Sequence, residues 1–231
     1  MKNINLLSGG AAQSLVTQLE DRFEIQHQCS IDASFGAVGM MRDSLLAGAP
    51  CDVLILTEAL IAQLTASGVV VASTVRALGV VKTGVAVKAG DAVPEVGTPE
   101  ALKTALQGAR GIYFPDPVKA TAGIHFMHVL KQLGLDAELS GRLHPFPNGA
   151  TAMAAMAEAD GSGYIGCTQV TEIIYTDGVQ LVAPLPTAFE LATVYSAAVC
   201  ARATEPDAAH AFVAMLVDTD AAALRSACGF E

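Results

Sequence analysis

The chain has 231 residues, 52% of them hydrophobic and only 16% charged, which is enough apolar surface for a sizeable core and excludes disorder as the main state. Its 23 acids against 13 Lys and Arg leave a formal charge of -10, which repels nucleic acid and anionic lipid, so neither is expected as a partner. No stretch reaches the roughly 20 unbroken apolar residues of a spanning helix, and direct membrane insertion is not expected.

The chain opens with Lys2, Asn3 and Asn5, then Ser8, Gly9 and Gly10, and lacks the apolar middle of a secretory signal. Read as given it is expected in the cytoplasm, or in the periplasm if a leader has been removed. Residues 4–7 read as a strand and 11–23 as a helix with Leu15, Leu19 and Phe23 on one face. Residues 31–34, 40–46, 53–56 and 58–67 continue as strand, helix, strand and helix. Residues 77–88 form a long Val and Gly run, followed by Thr98-Pro99-Glu100, an N-cap, a first-turn proline and a first-turn acid. The rhythm restarts with a strand at 112–114, helices at 122–133 and 150–158, and a strand at 164–167. A second long run, 191–200, leads into helices at 206–217 and 220–227. This alternation predicts an α/β fold with a mostly parallel sheet, built as two doubly wound lobes joined by two crossover strands. Lobe 1 takes 1–80, lobe 2 takes 81–190, and 191–231 returns to lobe 1.

In open α/β sheets the ligand sits beyond the carboxyl ends of strands, where helix N-termini aim free N–H groups outward. Five turns qualify: Ser8-Gly9-Gly10, Phe35-Gly36-Ala37-Val38-Gly39, the segment from Pro115 to Gly123, Pro147-Asn148-Gly149-Ala150-Thr151 and Gly166-Cys167-Thr168-Gln169. Lys119 and Thr121 lie in the proline-stiffened third turn, where Thr121 suits the cap position; Asn148 suits the cap of the next helix. Arg42 either reaches a carboxylate or pairs with Asp43. Cys167, beside Thr168, is either a nucleophile or a buried inert thiol; His125 and His128 share a helix face without a carboxylate at metal spacing. Cys29, Cys51, Cys167, Cys200 and Cys228 are odd in number and widely spaced, suggesting neither a disulfide framework nor zinc. No metal or cofactor is implied, and no GxSxG elbow is present.

Several segments together resemble the molybdate-binding periplasmic protein family, a branch of the type II solute-binding proteins. They are the strand and turn from Ile4 to Gly10, Leu45-Leu46-Ala47-Gly48-Ala49-Pro50-Cys51-Asp52-Val53, Pro115-Asp116-Pro117 with Thr121-Ala122-Gly123-Ile124, Lys131-Gln132-Leu133-Gly134, and Gly229-Phe230. The resemblance implies a type II periplasmic-binding-protein fold whose cleft closes around a small anion held by hydroxyls and backbone amides, with an ABC transporter as partner if the protein is exported. Where the family places a serine in the first turn this chain has Ala11. The serine-rich second loop is here Gly36-Ala37-Val38-Gly39, and the family's tyrosine near the fourth loop is replaced by Cys167 or a neighbour. The backbone donors at Ala122 and Gly149 persist. Charge-assisted hydrogen bonds are worth roughly 1.5 to 3 kcal/mol and micromolar binding needs about 8 kcal/mol, so on the order of four donors must converge. The missing hydroxyls leave too few for a bare tetrahedral oxyanion. A small organic acid is the expected ligand, with Lys119 or Arg42 for its carboxylates and Phe35, Val38 and Met40 for its carbon skeleton. The alternative is an isomerase of an unsaturated di- or tricarboxylate such as aconitate, with His125, Asp116, Glu190 and Cys167 as candidate acid/base groups.

Overall fold

The computed structural model describes residues 2–231. In chain order the first elements are β1 (Lys2–Gly9), α1 (Gln13–His27), β2 (Cys29–Gly36), α2 (Val38–Leu46), β3 (Val53–Thr57), α3 (Glu58–Ala66) and the long β4 (Arg76–Lys88). Next come α4 (Pro99–Gly108), β5 (Gly111–Pro115), α5 (Thr121–Gln132), β6 (Leu143–Phe146), α6 (Gly149–Glu158), β7 (Tyr164–Gln169), α7 (Val170–Tyr175) and β8 (Val179–Pro184). The chain closes with β9 (Ala192–Val199), α8 (Pro206–Val217) and α9 (Ala222–Ala227). It divides into two compact units, one holding the residues up to Val81 with Thr193–Glu231, the other Lys82–Ala192.

In unit 1, β1 runs parallel to β2 and β3, and β9 lies antiparallel on β3. The apolar run of β3 is buried at every position, as expected of a central strand covered on both faces. Leu15, Val16, Leu19 and Phe23 of α1 bury the helical stripe that the spacing predicts. Phe23 meets Phe212 of α8 edge to face at 5.0 Å, so α8 completes this core. Asp52 fastens the same unit. Its carboxylate accepts the Asn5 N–H at 2.8 Å and the Thr204 hydroxyl at 2.9 Å, and the Glu205 N–H at 3.1 Å. The acid in the Pro50-Cys51-Asp52-Val53 run is therefore a clamp between β1 and the start of α8.

In unit 2, β5 runs parallel to β6 and β7, while β4 is antiparallel to both β7 and β8. Phe114 and Phe126 pack edge to face at 5.5 Å in its core. Thr98 caps α4 by accepting the Ala101 N–H at 3.2 Å, with Pro99 in the first turn, as the sequence predicts. Two strands go beyond the sequence reading. β6 is four residues long and contains Pro145, and β8 is only half buried along its length, so neither shows a strong strand pattern. Both long runs, β4 and β9, pair antiparallel, so each parallel sheet carries an antiparallel member. Among the described residues no helix is long and apolar enough to cross a membrane.

Candidate functional site

In unit 1, Gly9 lies opposite Gly36 in the parallel register, so the turns after β1 and β2 leave the sheet side by side. A Cβ on Gly9 would stand 2.7 Å from Val38 Cγ1 and 3.1 Å from Cε1 of Tyr195 on β9, so the two turns touch and Tyr195 joins them. The short 3-10 turn Gly10–Ala12 and α2 both start without a side-chain cap. Their leading N–H groups carry the partial positive charge of a helix start. Ala11, Ala37 and Val38 are buried beside them. Ser8 is fully buried and its hydroxyl donates to the Gly9 carbonyl at 2.9 Å. Phe35 packs partly on the core and Met40 is exposed. Arg42 donates to Asp43 Oδ1 at 3.0 and 2.7 Å, which is the ion-pair arrangement of the two that the sequence allows.

In unit 2, Pro115 lies opposite Phe146 and Tyr113 opposite Gly166, so β5, β6 and β7 deliver their turns at one edge. The turn after β5 is held by Asp116, whose Oδ1 accepts the N–H groups of Val118 at 2.7 Å and Lys119 at 3.0 Å. The cap of α5 is Ala120 and not Thr121 as expected; the chain enters helix at Thr121, so its hydroxyl sits inside the first turn. No side chain caps α5, and the buried Ala122 lies in its first turn. A Cβ on Gly123 would run into the carbonyls of Pro115 and Asp116, so only glycine lets this helix start seat on the strand end. Lys119 is exposed.

The next turn is built differently. Asn148 caps α6 by accepting the Thr151 N–H at 2.9 Å, and the Thr151 hydroxyl accepts the Asn148 N–H at 3.3 Å, a complete capping box. Gly149 then presses so closely on Thr168 Oγ1 and the Glu172 carboxylate that a side chain has no room. Glu172, in α7, is 6% exposed. It accepts the Thr168 hydroxyl at 2.5 Å and the N–H groups of Gln169, Gly149 and Ala150. Burial pushes its carboxyl pKa up, and the four donors pull against that without cancelling it. A carboxyl of the chain itself thus sits at the N-terminus of α6.

Glu172 has no motif, and its only sequence signal is its position one helical turn after Thr168 at a strand-to-helix junction. The sequence reading missed it, together with Tyr195, Thr83 and Thr171. Thr83 pairs with Gln169 in the β4–β7 register, and the hydroxyls of Thr83 and Thr171 are buried with no hydrogen-bond partner among the described residues. Such hydroxyls are free to hydrogen-bond to water or to a polar group of a ligand.

The candidate acid/base groups are engaged elsewhere. His125 Nε2 lies 2.7 Å from the Phe189 carbonyl, Glu190 lies 3.9 Å from Lys82, and Asp116 holds its own turn. Cys167 has no exposed surface and burial pushes its thiol pKa up, which keeps it in the non-nucleophilic form. His128 is exposed.

A family model described as bacterial extracellular solute-binding protein matches residues 4–231. Aconitate isomerase from a Pseudomonas species is 24% identical over 227 residues, spanning 95% of this chain and 84% of that protein. The periplasmic molybdate-binding protein of Azotobacter vinelandii is 19% identical and superposes with a TM-score of 0.80 over 99% of this chain and 98% of that one. The sulfate-binding protein SubI of Mycobacterium tuberculosis H37Rv, also 19% identical, gives 0.76 over 100% and 86%. At these identities the structural likeness establishes a common fold, the one the sequence resemblance implies.

Proposed function

The chain belongs to the family of bacterial extracellular solute-binding proteins, and from that premise we propose that it binds a small organic carboxylate and hands it to a transporter of the ATP-binding-cassette class outside the cytoplasm. The observation that carries the choice of ligand is Glu172. Of the two backbone donors expected to hold an oxyanion, Gly149 is given to this internal carboxyl, together with Ala150. At the start of α6 a bare tetrahedral dianion would meet a fixed acid where it needs donors. An organic acid needs fewer donors per atom, and its carbon skeleton tolerates surface that offers no hydroxyl. In unit 2 the uncapped start of α5, with Ala122, supplies amides for its carboxylates, and Thr121, Thr83 and Thr171 add hydroxyls.

A thermal-shift screen of molybdate, tungstate and sulfate against citrate, cis-aconitate, trans-aconitate and related acids tests this. A ligand at a hundred times its Kd stabilises the native state by about 2.7 kcal/mol, a shift of several degrees. The expected result is a shift with at least one carboxylate and none with the inorganic anions. A molybdate or sulfate response without a carboxylate response overturns the choice.

The second reading, isomerisation of an unsaturated tricarboxylate, is favoured by the aconitate isomerase relative and by a buried carboxyl with a raised pKa at the candidate site. Glu172 would take the allylic proton from one carbon and return it to the carbon at the far end of the three-carbon unit. Deuterium incorporation into aconitate in heavy water, followed by proton NMR, decides it; complete inertness of bound substrate leaves the binding function alone.

A further inference from the structure

Cys51, between α2 and β3, and Cys200, one residue past β9, meet inside unit 1 although 149 positions separate them. Their sulfurs are 3.4 Å apart and the residues are 8% and 4% exposed. The Cys200 thiol donates to Cys51 Sγ, and the Cys51 thiol donates to the Val53 carbonyl at 3.1 Å. Backbone pairing holds the two carriers in place: Val53 lies opposite Val199, and the Cys200 N–H donates to the Asp52 carbonyl at 2.9 Å. A hollow of about 560 Å³, lined in part by Pro50, Val69, Arg202 and Thr204, borders both cysteines. A disulfide has a bond of about 2.05 Å, so closure asks for a movement on the order of 1.4 Å, within reach of side-chain rotation.

We propose that Cys51 and Cys200 form a disulfide by exchange with a small-molecule disulfide that reaches them through this hollow. One cysteine loses its proton and its thiolate attacks a sulfur of the donor, expelling a thiolate. The second cysteine, deprotonated in turn, attacks the protein-bound sulfur of the mixed disulfide, which forms the Sγ–Sγ bond and expels the other half of the donor. Two protein thiols are oxidised, one donor disulfide is reduced to two thiols, and the two protons pass to them. The hydrogen bond from Cys200 and burial both push the Cys51 pKa up, so exchange in the folded protein accelerates as pH rises. The closed ring runs from 51 to 200 and encloses all of Lys82–Ala192. A loop this long removes much entropy from the unfolded chain.

The full chain is incubated with oxidised glutathione at pH 8.5, and its thiols are then counted under denaturing conditions. The expected count falls from five to three. Intact mass falls by about 2 Da, peptide mapping joins the 51 and 200 peptides, and the Tm rises by roughly 5 °C or more, reversibly with reductant. A Cys51→Ser, Cys200→Ser double variant should show no oxidant-dependent Tm shift, and mapping of the unaltered chain decides the matter even if that variant does not fold. Five thiols after treatment, glutathione adducts without a 51–200 link, or a link between other cysteines overturns the proposal.

Discussion

Asp52 and Glu172 are both buried carboxyls, and their surroundings push them in opposite directions. Burial opposes the charge on Asp52, but the N–H groups of Asn5 and Glu205, the Asn5 amide and the Thr204 hydroxyl outweigh it and hold its pKa below the usual carboxylate range. At Glu172 burial wins and the pKa is raised. The two therefore couple to stability with opposite signs. The contribution of Asp52 is present above its unfolded pKa of about 3.9 and is lost as pH falls through the lower folded value. That of Glu172 is present below its unfolded pKa of about 4.3 and is lost as pH rises through the higher folded value. Asp52→Ala should cost about 3 kcal/mol at neutral pH, because the Asn5, Thr204 and Glu205 donors lose a charged acceptor, and the deficit should shrink below about pH 4. Glu172→Gln should gain stability relative to the parent as pH rises from about 4 upward, since it removes a group that resists ionisation. Urea midpoints measured across that range check both, and curves parallel to the parent's would show that neither carboxyl carries a shifted pKa.

At the scale of elements, the start of α6 sets two ordinary rules against each other. Alanine is a better helix residue than glycine, so Gly149→Ala would stabilise an isolated helix. In this protein the added methyl meets Thr168 and the Glu172 carboxylate, and the substitution should destabilise by up to about 3 kcal/mol. Asn148→Ala, which removes the cap alone, should cost about 1 kcal/mol. Denaturant unfolding of the two variants ranks them, and a Gly149→Ala protein as stable as the parent would mean that the Glu172 carboxyl can leave the helix start at little cost. The same turn shows what can be read from sequence. Thr98 and Asn148 act on N–H groups three residues away, so their capping is legible in a local window. Thr121 is adjacent to the true cap, and nothing local distinguishes Ala120 from it. The turns at Gly9, Gly36 and Pro115 follow from strand-to-helix alternation, and the one at Asn148 from its cap signal. Glu172 is hard to read because, although Thr168 and Gln169 are close in sequence, Gly149 and Ala150 of α6 reach it only through the fold. β6 and β8 were missed because strand registration with β5 and β4, not their own pattern, makes them strands.

At the scale of the whole chain, the hydrophobic clusters follow the division into units. One cluster is drawn from residues such as Leu6, Ile55 and Phe212; the others from residues such as Val85, Phe114, Phe126 and Met153. The second unit also closes on itself at its ends. The Thr83 N–H donates to the Leu191 carbonyl at 3.0 Å, and the Thr83 carbonyl accepts the Leu185 N–H at 3.0 Å. Excising Lys82–Ala192 therefore cuts two neighbouring strand positions and leaves a segment of about 110 residues, a size that supports its own core. That segment, expressed alone, should give a dispersed amide NMR spectrum and a single cooperative urea transition. A collapsed, dye-binding state without cooperative unfolding would mean that its core depends on the residues removed. If the segment folds, the Glu172 titration belongs to the segment's own packing of Thr168, Gly149 and Glu172, and the carboxyl resonance should show the same raised pKa in the fragment as in the full chain.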